Sequence, residues 1–505
     1  MSIQLFRTKD LDSIMRESES TGQQLKRVLG AFDVVMLGIG AIIGAGIFAT
    51  IGTAAAGDAA RPGAGPALII SFIFTGLGCG FAALCYAEFA AMVPISGSAY
   101  TYSYATLGEL VAWIIGWDLI IEYAVGNVAV AISWANYFKT LVAGFGIIVP
   151  DWLSTDYRTA AKIPGLYDAA PHILGIPIVF NILSFSIVML ITVVLVIGIR
   201  ESARTNTAMV MLKLVVLAFF VFIGWQYVKP ENWKPFAPNG WSGIQAGAAV
   251  VFFAYIGFDA VSTVAEEVRN PKRDLPIGII GSLIICTLIY VIVAAVFTGI
   301  IPYGALVKVL STQQAEPLTL ALQYANIEKW GNLFVGIVAF GSVVAHTAVL
   351  LVFQLGQPRI FFSMARDGLL PRSFSNVHPK YRTPHVTTIF TGLAVGICSM
   401  FTSIDEMVDL TNIGTLFAFI LVCLGIIILR RRDPDRPRAF RTPFVPVVPV
   451  LGIISCLYLM TGLPVVTWYR FGIWLLVGMV IYFMYGFKRS HIRNGGIMAP
   501  TGGDR

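Results

Sequence analysis

Twelve times along 505 residues the chain runs for about twenty positions with hardly a charge, and this repetition constrains its fold more than any single motif. About twenty apolar residues in a helix cross the hydrocarbon core of a bilayer, where only helices and closed barrels satisfy every backbone polar group. The runs lie near 32–56, 67–92, 109–136, 176–199, 206–228, 243–264, 276–301, 331–356, 385–402, 409–430, 446–464 and 467–487. Charged residues make up 12% of the chain, against about 25% in a soluble domain, and mean hydropathy is +0.78. The expected fold is an all-α membrane protein of 12 transmembrane helices.

An even number of spans puts both termini on one side, and Lys and Arg indicate which. With the N-terminus inward, 25 of the 35 basic residues fall in cytoplasmic segments, 9 in external ones, and one, Lys213, inside a span. This asymmetry predicts both termini in the cytoplasm of a cell-membrane protein. The clusters Arg430–Arg432 with Arg436, Arg438 and Arg441, and Arg359 to Arg382, read as topology determinants, and no nucleic-acid partner is implied. The first thirty residues are polar and basic, so no cleaved secretory signal is expected. Six cysteines at irregular spacing and five scattered histidines make neither a disulfide framework nor a metal site.

The expected organisation is a cytoplasmic segment over 1–30, a core over 31–432, two further spans over 433–490 and a tail over 491–505. The stretch 143–175 reads as a surface loop and the tail as unstructured. Two spans are interrupted. In the first, Gly44-Ala45-Gly46 follows Gly38-Ile39-Gly40; in the sixth, Phe253-Ala254-Tyr255-Ile256-Gly257-Phe258-Asp259 puts glycine and aspartate in mid-membrane. Glycine costs about 1 kcal/mol relative to alanine in a helix interior, and an unwound backbone in lipid carries unpaired polar groups. Gly40 and Gly44 also fit close helix packing. Two breaks five spans apart favour an inverted repeat with a binding site between its halves. At 1.5 Å per residue both breaks lie ~15 Å deep, at the midplane.

Three ionisable residues lie at or near this level. Lys213 is roughly 13 Å deep in the fifth span, beyond the reach of its stem to the interface, so it is expected to face the bundle interior. Glu122 lies about 16 Å deep in the third span, with Asp118 one turn earlier as a relay partner or a structural residue. A buried glutamate can exchange protons, as a proton-driven carrier requires, or be permanently paired. Asp259 either holds the unwound segment together or gates the inner side. Glu88, at the inner end of the second span, is expected to be structural, as is His346 in the eighth.

Several signatures then carry a family resemblance: Gly44-Ala45-Gly46-Ile47-Phe48; Tyr86-Ala87-Glu88-Phe89 leading to Pro94-Ile95-Ser96-Gly97-Ser98-Ala99-Tyr100-Thr101-Tyr102; Phe253–Asp259 running on to Glu266-Glu267-Val268-Arg269-Asn270-Pro271; and Arg359–Gly368 with Arg438-Ala439-Phe440-Arg441-Thr442-Pro443. Over about 25–490 the chain resembles the amino acid-polyamine-organocation superfamily, and within it bacterial relatives of the cationic amino acid transporters. The resemblance implies a LeuT-like five-plus-five inverted repeat with broken helices 1 and 6, alternating access, and uptake of L-amino acids with protons as coupling ion and no other cofactor. It places the substrate carboxylate at Ile43, Gly44, Ala45 and Gly46, and its ammonium at carbonyls of Phe253, Ala254 and Ile256, with Phe253 as an aromatic gate. It assigns proton coupling to Lys213, through span-one carbonyls, and to Glu122 either proton coupling or help in holding the substrate amine. A half-helix N-terminus carries about half a positive charge, which suits a carboxylate.

The apolar lining favours small neutral amino acids over cationic ones. An amino acid or polyamine exchanger is the alternative within the same machinery. An enzyme would need a nucleophile or metal constellation in the membrane, and none is visible; a channel filter is not evident either. Membrane lipid is the surrounding partner, and the sequence is silent on an accessory subunit.

Overall fold

The computed structural model describes residues 7–8, 27–92, 98–198, 203–312, 316–328 and 330–492. Most of the expected N-terminal segment 1–30, the Pro94–Gly97 part of the second signature and nearly all of the tail 491–505 lie outside these residues. Within them, nine helical segments are long and apolar enough to cross a membrane: Ala31–Ala56, Gly65–Met92, Glu109–Ala143, Asn206–Trp225, Gly240–Ser262, Pro271–Ile300, Gly331–Arg366, Ile404–Arg432 and Val465–Arg489. Three shorter apolar helices, Ile182–Ile197, His385–Phe401 and Val447–Thr461, take the fourth, ninth and eleventh places in the order. Local chemistry fixes the bounds of the fourth. The Asn181 side chain accepts from Ser184 N at 3.1 Å to cap its start, and Gly198, at φ +88°, ends it.

The bundle is apolar outside as well as inside. Phe222, Leu476 and Met484 are exposed large hydrophobics, while Tyr86, Tyr290 and Lys213 are among its fully buried side chains. This inversion of the soluble pattern is what a lipid solvent dictates. Helix pairing follows a regular rule: the second segment packs on the seventh, the third on the eighth and the fourth on the ninth, while the interrupted parts of the first and sixth touch each other.

Strand is confined, among the described residues, to two small antiparallel hairpins, Gly57–Asp58 with Arg61–Pro62 and His172–Ile173 with Ile176–Pro177, and one isolated bridge. The bridge joins the approach to the first segment to the exit of the sixth: Val28 N and Leu29 N donate to Glu267 O at 2.9 and 3.0 Å, and Arg269 N donates to Leu29 O at 2.9 Å. The loop after the third segment folds on a small apolar core of Ala160, Leu166, Ala170 and Val179.

Two arginines of the basic cluster are tied into the bundle. Glu88, fully buried, accepts from Arg430 Nε at 2.8 Å and from the Thr442 backbone N–H at 2.8 Å, and Arg438 Nε lies 3.1 Å away. Arg438 also donates to the carbonyls of Asp433, Pro434 and Arg436. A buried carboxylate with this many donors ties the end of the second segment to the loop after the tenth.

Candidate functional site

The first segment is helical over Ala31–Ile42, extended at Ile43 (φ −76°, ψ 104°), and helical again through a π-turn over Gly46–Thr50 and an α-turn over Ile51–Ala56. The interruption therefore falls at Ile43–Ala45, where the glycine density placed it. The sixth segment is α-helical over Gly240–Val251, tightens to a 3₁₀ turn over Phe252–Tyr255, is extended at Ile256 and resumes as a 3₁₀ helix over Asp259–Glu267. Gly257 stands between the halves at φ +117°, a backbone region that side chains rarely allow.

Glycine brings these two backbones together. A Cβ on Gly46 would lie 2.2 Å from Ala254 Cα, and one on Gly257 would lie 2.8 Å from Ala41 O. Gly44 faces the eighth segment, with Val349 Cγ2 2.6 Å from the same hypothetical carbon, and Gly40 faces Val210 of the fifth at 2.7 Å. Gly40 and Gly44 thus serve close packing as well as the break, and the two readings of these glycines coexist.

The carbonyls released by the first break are occupied by side chains from elsewhere. Lys213, wholly buried, donates from Nζ to Gly40 O at 2.7 Å and to Ile43 O at 3.0 Å. Tyr290 Oη, from the seventh segment, lies 3.0 Å from Ile42 O and 2.9 Å from Ala254 O, so its single proton serves a carbonyl of either break. The N–H groups that open the second half-helix, from Gly44 to Gly46, are the donors that a helix start leaves without intrahelical acceptors.

On the other side lies a group of carboxyls. Glu122 sits in a π-turn over Ile121–Val125 within the third segment, a local widening often found at functional sites. Its carboxyl faces that of Asp259, with Thr415 of the tenth segment alongside. Asp118, one turn before, lies against Gly414 of the tenth segment. All three are buried, and none is ion-paired among the described residues. Neither oxygen of Asp118 or Asp259, nor Oε2 of Glu122, has a partner at hydrogen-bonding geometry.

The structure therefore brings Ile43, Gly44, Ala45, Gly46 and Lys213 together with Phe253, Ala254 and Ile256 around the paired breaks, and places Glu122 beside Asp259. Phe253 is 5% exposed, at the sixth-segment break. His346 stands apart as a satisfied residue: Nε2 meets Ser133 Oγ at 2.8 Å, and Nδ1 meets Ser342 O at 2.7 Å. Sequence reasoning missed Tyr290. A lone tyrosine in an apolar run carries no pattern, and its position midway along Pro271–Ile300 was its only signal.

Paired broken helices whose freed backbone groups meet in mid-bundle define a class: a membrane transporter for a small polar solute. The profile of the family described as "Amino acid permease" matches residues 29–485, and the chain belongs to that family, within the amino acid-polyamine-organocation superfamily. It is 48% identical over 488 residues to the branched-chain amino acid permease BcaP of Bacillus subtilis (strain 168), covering 97% of this chain and 99% of the relative. A methylthioribose transporter of the same strain is 44% identical over 486 residues, covering 96% and 98%. Cationic amino acid transporter 4, vacuolar, of Arabidopsis thaliana is 35% identical over 437 residues, covering 85% of this chain and 68% of the relative. The chain is thus an integral membrane protein of an amino acid transport family.

Proposed function

We propose that the protein is a proton-coupled symporter of neutral L-amino acids working by alternating access, with ten core spans in a LeuT-like five-plus-five inverted repeat, two further spans, and both termini in the cytoplasm. The observation that carries this reading is the bond from Lys213 to Gly40 O and Ile43 O beside a break that abuts the sixth segment. The repeat is supported by the pairing of second with seventh, third with eighth and fourth with ninth segments, each helix on the one five places later.

The substrate carboxylate would take the N–H groups at Gly44, Ala45 and Gly46, with Ile43 beside them. Its ammonium would take carbonyls around Phe253, Ala254 and Ile256, sharing Ala254 O with Tyr290. Protonated Lys213 holds the first break through two carbonyls, and loss of its proton weakens that hold and releases the inner half of the segment. Glu122 and Asp259 repel if both are ionised, and a proton between them removes the repulsion. Proton binding and the packing of the third segment on the sixth are thereby linked. Val349 over Gly44 and the apolar lining favour neutral side chains, small or branched, over cationic ones.

Purified protein in liposomes tests the reading. Uphill uptake of a neutral amino acid driven by an imposed proton gradient is the expected result. Uptake only against internal substrate would make the protein an exchanger. Beforehand, a thermal-shift screen of the twenty amino acids, with methylthioribose included, identifies the ligand through its binding to the native state.

A further inference from the structure

Between the seventh and eighth segments, two short helices, Tyr303–Thr312 and Pro317–Tyr324, together termed the hairpin, lie on the distal half of the first segment. The contact is close: a Cβ on Gly52 would meet Pro317 Cγ at 2.7 Å and Leu310 Cδ1 at 3.2 Å. The residue that opens the second of these helices is Glu316. It is 6% exposed, its Oε2 has no hydrogen-bond partner among the described residues, and it lines a recess of about 1220 Å³ walled by the third, fifth and eighth segments.

We propose that Glu316 is a proton-binding site of the outer gate, and that the helices Tyr303–Thr312 and Pro317–Tyr324 seat on the first segment only while this carboxyl is protonated. The reading of the hairpin as external rests on the orientation proposed above.

Among the described residues no charged group acts on Glu316. The third segment offers Asn136 and the Tyr137 hydroxyl next to it, and Tyr137 Oη in turn donates to Phe48 O of the first segment at 2.8 Å. Lys139, the other charged residue in the recess wall, is ion-paired with Asp151. The fifth segment presents Leu212, Val215, Val216 and Phe219, and the eighth presents Asn332, Leu333 and Phe340. Among the described residues a seated carboxylate would thus be buried without a cation, a state that is costly and that a proton relieves. Burial pushes the Glu316 carboxyl up to about 8 from 4.5, while Asn136 and Tyr137 act in the opposite sense.

The sign follows from linkage. A seated hairpin keeps the proton below about 8, whereas a lifted, hydrated one releases it above 4.5. Seating is therefore favoured about tenfold for each unit by which pH falls through that window, and it changes no further above about 8. External acid would close the gate over bound substrate, on the side from which a symporter draws its protons.

The test uses full-length protein in nanodiscs, where both faces meet the same buffer, and Leu310→Cys as a reporter under the hairpin, with Cys398→Ser removing the exposed native thiol. Maleimide labelling is measured with Glu316 intact and with Glu316→Gln, and the ratio of the two rates cancels the thiol's own titration. The expected ratio rises about tenfold per unit from pH 5.5 to 7.5 and levels above 8; a ratio independent of pH overturns the proposal. Amide exchange of residues 303–324 in the unmodified chain, corrected for intrinsic pH dependence, is the second readout. It should quicken over the same window, and no change there also overturns the proposal. Neither readout involves uptake, so absence of proton-driven transport would sink the symport reading while leaving these two results to decide the gate.

Discussion

The two breaks are built differently, and under the proposed symport the difference separates a half that can switch from one that is preformed. In the first segment, the carbonyls of Gly40, Ile42 and Ile43 are met by side chains from other helices, Lys213 and Tyr290. In the sixth, Tyr290 and Asn412 also meet carbonyls, at Ala254, Ala249 and Val250, but the interruption itself is a matter of backbone: Ile256 is extended, Gly257 is at φ +117°, and 3₁₀ turns flank them. Donors on other helices can be withdrawn, whereas Gly257 is held where its backbone abuts the Ala41 carbonyl, 2.8 Å from the position a Cβ would take. Under the proposed mechanism the first segment would be the switching half of the site and the sixth its preformed wall.

The largest effect is expected where the two meet. Gly46→Val drives a side chain into Ala254, whose Cα is 2.2 Å from the first added carbon and belongs to backbone that cannot yield cheaply. Uptake should fall to background, and the thermal shift by the amino acid that stabilises the wild type should vanish. Retained ligand stabilisation would show that the breaks do not form one site. Lys213→Met comes next. It removes both Nζ bonds while keeping an unbranched stem, so proton-driven uptake should drop at least about tenfold, since a charged hydrogen bond is worth roughly 1.5–3 kcal/mol. Full pH-dependent uptake by a folded Lys213→Met protein would remove the lysine from the coupling. In the wall, Gly257→Ala should act on stability first, at about 2 kcal/mol for a side chain forced to positive φ, read as a fall of the thermal midpoint.

The same contrast explains what was legible in the sequence. The breaks were legible because glycine in mid-span has a known cost, and Lys213, Glu122 and Asp259 because charge in lipid does too. The fit of Lys213 to span-one carbonyls came from family resemblance, since depth alone gives no direction. Tyr290 escaped because a hydroxyl on an apolar ring leaves no periodic trace. Glu316 escaped for another reason: it lies in a loop, where a carboxylate is ordinary, and only the packed hairpin shows that it is buried. The ion pairs of Arg430 and Arg438 with Glu88 were not legible, because they join positions 342 residues or more apart.

Two smaller changes sharpen the comparison. Glu122→Gln keeps the shape of the third segment but replaces a carboxyl facing Asp259 with an amide. The pH dependence of uptake should weaken by about tenfold over the range where wild type responds, with ligand-induced stabilisation within about twofold of wild type. A pH profile unchanged from wild type would confine coupling to the first break. Tyr290→Phe removes one hydroxyl shared between Ile42 O and Ala254 O, and should cost about 1 kcal/mol of stability. Its use is diagnostic, because the first break still has Lys213 whereas the sixth loses its side-chain donor at Ala254. If the sixth is a preformed wall, substrate affinity should hold and the proton dependence shift only slightly; a large loss of affinity with Lys213 intact would mean that both breaks depend on borrowed donors.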